Sequence, residues 1–185
     1  RERKYLMMAL NQLIPTLRAY ALTDKVWFNG LWFQLTWFSC VIGREQWLAV
    51  SIALIAMHFI LVKAPREELY ALAPIIAVGV AVDSLLSVLG IFDFGDSLVP
   101  GWLVLLWIAF ATTITRAFAF FKQRPLLASV VGGLGVPFNY AVGAQLGAVT
   151  LPMEPIISAA VLMGVWALLF PSLFRIVAHR ESGGR

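Results

Sequence analysis

The chain has 185 residues, 61% of them hydrophobic and only 13% charged, with a formal net charge of +4. Its mean hydropathy of +0.85 excludes the ordinary soluble domain, whose apolar usage is near half and charge near a quarter, and excludes disorder, which needs low hydrophobicity. A soluble protein of 20.4 kDa this apolar lacks the polar surface to cover its core, so composition alone implies an integral membrane protein.

The opening 25 residues, RERKYLMMALNQLIPTLRAYALTDK, place Leu6, Leu10, Leu13 and Leu17 at helical spacing, with Arg3, Lys4, Asn11, Gln12 and Arg18 elsewhere on the wheel. This pattern predicts an amphipathic helix, broken near Pro15, lying in the headgroup layer; the alternative is a helix that docks a partner. No charged n-region, short apolar stretch and cleavage site open the chain, so no signal peptide is expected.

Six apolar segments follow, near 27–43, 46–63, 68–92, 101–121, 126–149 and 153–177. A membrane span needs about 20 apolar residues. The first two segments are separated only by Arg44 and Glu45, which predicts a tight helical hairpin. Basic residues sort cleanly on this layout. With a cytoplasmic N-terminus, the inner side collects Arg1, Arg3, Lys4, Arg18, Lys25, Lys63, Arg66, Lys122, Arg124, Arg175, Arg180 and Arg185, whereas the outer side holds only Arg44. The outer loops carry Glu45, Asp93, Asp96 and Glu154. The positive-inside bias therefore predicts an all-α polytopic bundle of six transmembrane helices with both termini in the cytoplasm. It divides the chain into an interfacial helix (1–25), a transmembrane domain (26–178) and a polar cytoplasmic tail (179–185).

The same distribution argues against nucleic acid as a partner, since a polyanion binder gathers its Lys and Arg on one face of a soluble domain. One cysteine, Cys40, excludes an internal disulfide and multi-Cys metal or iron–sulfur sites. No metal site is predicted, and no cofactor is identified. The G-x-S-x-G, H-E-x-x-H and P-loop patterns are absent.

Polar side chains within spans are the candidate site residues, because hydrocarbon penalises them and they face the bundle interior. With about 1.5 Å of rise per residue, Asp83 lies roughly 22 Å above the cytoplasmic edge, and Asn139, Tyr140 and Cys40 lie near 20 Å. A carboxylate at that depth must be protonated, paired or wetted. A second layer near the cytoplasm contains His58, Arg116 (roughly 9 Å deep) and Gln34 (about 10 Å deep), with Thr112 and Thr113 one turn above Arg116. A direct Asp83–Arg116 pair is not expected, since the two heights differ by roughly 13 Å. Each residue also has a plain structural reading. Arg116 can snorkel, His58 can bond a backbone carbonyl, Cys40 can be a small buried apolar residue, and Asn139 and Tyr140 can join helices.

The fifth segment contains Gly132, Gly133, Gly135, Gly143 and Gly147 around Pro137. Gly143 and Gly147 form a small-xxx-small pair suited to close helix packing or a partner protein. The Gly132–Pro137 stretch either unwinds around a site, as in transporters, or stays a kinked helix. Trp27, Trp47 and Trp102 are read as interfacial belt residues. Trp32, Phe33, Trp37, Trp107 and Trp166 either pack helices or line a pocket for an acyl chain or ring.

The stretches FQLTWFSCVIG (33–43), PGWLVLLWIAFATTITRAFAFF (100–121) and GGLGVPFNYAVGAQLGAV (132–149), with His58, Asp83, Trp166 and Pro171, resemble an uncharacterised family of small bacterial inner-membrane proteins, a domain of unknown function. The resemblance covers about residues 27–177. It implies a bacterial inner-membrane location, and the siting of some relatives beside fatty-acid-modifying genes implies lipid chemistry. It carries no catalytic residues over.

Three functions compete. The first is a membrane enzyme, or an enzyme's partner, acting on a lipid or fatty acyl chain. There, Asp83, Tyr140 and His58 are the candidate catalytic groups, and Arg116, Gln34, Asn139, Thr112, Thr113 and Trp107 the candidate ligand-binding ones. The second is a non-catalytic subunit of a membrane complex that meets its partners through the N-terminal helix and the Gly143/Gly147 face. The third is a small transporter built on a broken fifth helix.

Overall fold

A computed structural model of the chain describes residues 2, 3, 5, 12–15 and 22–183, with side chains up to His179. Most of the expected N-terminal amphipathic helix thus lies outside the described residues. Six helices follow: α1 (Val26–Gly43), α2 (Leu48–Leu61), α3 (Pro65–Val88), α4 (Gly101–Thr115), α5 (Pro125–Gln145) and α6 (Pro155–Gly183). No strand is present among the described residues.

Four helical stretches are long and apolar enough to cross a membrane: Val26–Leu61, Pro65–Val88, Pro125–Gln145 and Pro155–His179, with Gly101–Thr115 a shorter apolar helix. This is a multi-pass membrane protein. Its solvation is inverted relative to a soluble fold. Asp83, His58, Asn29, Thr36, Ser51 and Thr112 are buried, while Leu126, Ile156, Phe138 and Leu168 point outward. In water such an apolar exterior would be an extended sticky surface; in a bilayer it faces its solvent. Lipid is as apolar as leucine, so helix association here rests on close packing and interhelical hydrogen bonds.

Local sequence sets the helix boundaries. Pro65 and Pro125 occupy the first turns of α3 and α5, Pro155 opens α6, and Pro100 precedes α4, positions where a missing N–H removes no helical bond. Gly90 and Gly147 follow α3 and α5 with φ of 73° and 74°. At the second of these ends, Ala148 N–H donates to Gly143 O at 2.8 Å, which closes the helix with a left-handed glycine. Gly147 therefore lies beyond the helix, and Gly143 and Gly147 do not form one helical face. Close packing falls instead to Gly132 and Gly133. A Cβ added at Gly132 would stand 2.8 Å from Trp166 O, and one at Gly133 3.2 Å from Met163 O, both on α6.

α1 and α2 form an antiparallel hairpin. Ser39 and Ser51 share a 2.8 Å hydrogen bond, and Trp32 Nε1 donates to Leu54 O at 3.0 Å. The hairpin tip is fastened to its neighbours: Arg44 Nη1 donates to Gly147 O and Gly101 N–H to Glu45 Oε1, each at 2.7 Å. At the same end Asp93 and Thr150 exchange backbone bonds of 2.9 and 2.8 Å. This is the Arg44 end of the bundle; the other is the Arg116 end.

Two expectations need adjustment. α4 stops at Thr115, so Arg116, read as lying within the fourth segment, follows the helix as its C-cap with φ −129° and ψ −86°. Trp102 is no belt residue: it is buried, whereas Trp27 and Trp47 are exposed. At the C-terminal end, α6 runs on through Gly183, into the segment read as a polar tail.

Candidate functional site

Asp83 is wholly buried on α3, five residues before that helix ends at Val88. Tyr140 holds the equivalent place on α5, five residues before Gln145, so both lie in the half of the bundle nearer the Arg44 end. Tyr140 Oη donates to Asp83 Oδ1 and Trp107 Nε1 donates to Asp83 Oδ2, both at 2.7 Å. One carboxyl group thus ties three helices, each of its oxygens receiving one donor.

The backbone makes room for this. Gly79 lies one turn before Asp83, and a Cβ there would run into the Trp107 ring. The absent side chain lets the indole lie against α3 with its N–H on Asp83. The rings are then held by other rings. Tyr140 stacks on Phe92 (centroids 4.6 Å apart, planes at 25°), and Trp107 stacks on Trp166 (5.6 Å, 7°).

Beside this cluster is a cleft of about 260 Å³ whose walls include Phe33 and Trp37 of α1, Leu106 of α4, Val136 and Tyr140 of α5, and Phe170 of α6. Asn139 is on its rim, exposed, with its side-chain amide donating to Gly135 O at 2.9 Å. Its lining is drawn from α1, α4, α5 and α6, and α1 and α5 scarcely touch each other. Among the described residues, no Lys, Arg or His lines the cleft. Chemically it is a slot for apolar matter, with a phenol and two indoles fixed at one wall.

A second polar cluster occupies the Arg116 end. Glu68 Oε1 and Oε2 accept from Arg116 Nη1 and Nη2 at 2.5 and 2.9 Å. His58 Nε2 lies 3.2 Å from the same Oε1, and Asp24 Oδ1 is 3.5 Å from Arg116 Nε. The His58 ring packs on Trp32, with centroids 4.7 Å apart. Nearby, Asn29 Nδ2 donates to Thr112 Oγ1 at 3.1 Å, and Asn29 Oδ1 accepts from Ala117 N–H at 3.3 Å. Ala117 follows the end of α4, so Asn29 caps backbone that has left the helix. Thr113 turns its hydroxyl to Phe110 O at 2.6 Å.

The structure therefore brings Asp83, Tyr140 and Trp107 together, with Asn139 close by on the cleft rim. It groups His58 with Arg116 and places Thr112 beside Asn29, apart from the first cluster. Gln34 joins neither, since its side chain is exposed on α1. Cys40 is buried against Ser51, its thiol 3.5 Å from the hydroxyl, and does not reach Asp83. Arg116 has an anionic partner within the chain, Glu68, which holds both of its terminal nitrogens. α5 is a continuous helix through Pro137, so the unwound site expected of a transporter is not formed. Among the described residues no three His, Cys, Asp or Glu side chains gather as a metal site.

Glu68, Asn29 and Asp24 were not singled out from the sequence. Glu68 reads as one more interfacial charge after Arg66 and Glu67. The usable signal was the short α2–α3 connection, which places His58 and Glu68 at similar distances from the turn on antiparallel helices.

A family model described as "Protein of unknown function (DUF2878)" matches residues 26–172, a range that contains the cleft and, apart from Asp24, both clusters. No curated protein and no solved structure matches the chain.

Proposed function

The chain belongs to this family of unknown function, DUF2878, and from its own geometry we propose that it holds a lipid-derived, apolar ligand in the aromatic cleft beside Asp83 and Tyr140. The observation that carries this reading is the cleft itself: about 260 Å³, walled by aromatic and aliphatic side chains from four helices of an apolar bundle. Ligand sites are concave, mostly apolar and furnished with a few fixed polar groups. A cleft of this kind inside a membrane-embedded bundle suits a molecule that partitions into the bilayer. Asp83 orients Tyr140 and Trp107 at the wall, and His58 and Arg116 fasten the opposite end.

The role is one in lipid or fatty-acyl metabolism, as the handling protein or as the partner of an enzyme. The reading includes six spans with both termini on the cytoplasmic side of an inner membrane, supported by the gathering of Lys and Arg at the Arg116 end.

The test is to purify the chain from membranes, extract what accompanies it, and repeat with Gly135→Leu. Gly135 lines the cleft, and a Cβ there meets nothing within 4 Å, so leucine fills the slot without disturbing the helix. The expected result is one apolar lipid species enriched with the wild type and lost from Gly135→Leu. Equal recovery from both proteins would remove the cleft as the site.

A further inference from the structure

We propose that Arg44 is a latch at one end of the cleft: its guanidinium ties the α1–α2 tip to the α5–α6 connection, and release of that tie admits the ligand. Admission of a ligand rests on the cleft being a ligand site; the latch itself rests on the geometry of the tip.

Arg44 Nη1 donates to Gly147 O at 2.7 Å, and the residues beside this bond are cleft walls. Val41, three residues before Arg44 on α1, lines the cleft, and so do Ala148 and Val149, which follow Gly147. α1 and α5 scarcely touch each other, so Arg44 supplies a tie that helix packing does not. Other links from this side of the bundle run to α3, α4 and the connection between them. Tyr140 bonds Asp83, Trp166 stacks on Trp107, and Thr150 pairs with Asp93. All of these can stay in place while the tip parts from the α5–α6 connection.

The backbone marks the same residue. Arg44 is the one non-glycine residue with a positive φ among the described residues, at φ 49° and ψ −137°. Side chains rarely tolerate this conformation, whereas glycine adopts it freely. The neighbouring glycine is needed elsewhere: Gly43 has φ −78°, and a Cβ on it would run into Trp47. Arginine thus occupies a strained position that suits glycine, and the bond to Gly147 is what its side chain adds. Strain of this kind clusters at clamps and switch regions. Both Arg44 and Gly147 are exposed, so water can take over the freed donor and acceptor when the bond parts. The buried Asp83–Tyr140 bond has no such substitute.

The experiment places a thiol in the wall, Ala148→Cys, and follows its modification by N-ethylmaleimide in the full chain in mild detergent, with and without Arg44→Gly. Glycine removes the guanidinium and relaxes the backbone, so the variant breaks the tie without adding strain. Ala148 is 8% exposed. Its replacement thiol is expected to react slowly beside Arg44 and about tenfold faster with Arg44→Gly, while the buried native Cys40 stays unmodified. Val149→Cys gives the same reading if Ala148→Cys does not fold. An unchanged rate would overturn the latch. Modification of Cys40 in step with the new thiol would also overturn it, because the whole fold would then have loosened. A second arm mixes the protein with micelles of 1-bromohexadecane, whose bromine quenches indole emission. A quenching phase is expected that Arg44→Gly accelerates and Gly135→Leu abolishes. Faster thiol modification without any phase sensitive to Gly135→Leu would overturn ligand admission and the cleft as a ligand site, and leave Arg44 as a tie between helices.

Discussion

Glu68 grips Arg116 with both carboxylate oxygens, at 2.5 and 2.9 Å, and so joins the first turn of α3 to the end of α4. The Arg116 side chain is only 10% exposed. Removing one member of such a pair leaves the other buried without its counter-charge, which costs more than the pair itself contributes. Glu68→Gln is expected to lower stability by about 3 kcal/mol, read as a fall in the thermal midpoint of the detergent-solubilised protein. Glu68→Gln combined with Arg116→Met should recover most of that loss. If the double variant is as unstable as the sum of the singles, the two residues do not act as a pair.

The Asp83 cluster gives a prediction about coupling. Tyr140→Phe keeps the stack on Phe92 but leaves Asp83 Oδ1 without its donor, a loss of about 1–3 kcal/mol. Asp83→Asn keeps an acceptor for Trp107 Nε1, and its amide NH2 can donate to Tyr140 Oη because a phenol hydroxyl also accepts, which leaves the hydroxyl proton without a partner. Both variants disturb the same hydrogen bond, so the two together should cost less than the sum of the singles. A double-mutant cycle in thermal unfolding measures this coupling. Strict additivity would mean that Tyr140 and Asp83 do not share a hydrogen bond.

How much of this was legible beforehand depends on what each residue's neighbours reveal. The apolar segments, the hairpin at Arg44 and the shared level of Asp83 and Tyr140 in the bundle follow from local runs and a fixed rise per residue. Pairing across helices is another matter. Trp107 as a partner of Asp83 depends on Gly79, whose missing side chain has no meaning until α4 is known to lie there. Glu68 was masked by its place among ordinary interfacial charges. Gln34 sat at a suitable depth yet points outward, because depth specifies height along a helix and not the direction of its face. Gly143 and Gly147 match a packing motif in spacing, but Gly147 terminates the helix instead of continuing it.

Gly79 offers a test that leaves every polar group in place. Gly79→Ala would drive a methyl group into the Trp107 ring, and the indole must move away from Asp83 or α3 must shift. Overpacking of this kind costs about 1–3 kcal/mol. The expected outcome is a lower thermal midpoint together with an altered tryptophan emission spectrum, compared with Gly135→Ala as a control at an open glycine. An unchanged midpoint and spectrum would show that α3 and α4 are not packed this closely.

Cys40 allows the orientation to be tested without building a cysteine-free protein. It is the single cysteine in the sequence and is buried, with its thiol against Ser51, so a membrane-impermeant maleimide should leave the wild type unlabelled. Asp96 and Arg124 are both exposed and lie in connections at opposite ends of the bundle: Asp96 between α3 and α4, and Arg124 immediately before α5. The basic residues crowd the Arg124 side, which the positive-inside rule assigns to the cytoplasm. On intact cells, Asp96→Cys is expected to react and Arg124→Cys to react only after the membrane is permeabilised. Labelling of Arg124→Cys alone on intact cells would invert the topology, and labelling of both would mean that α4 does not carry the chain across the bilayer.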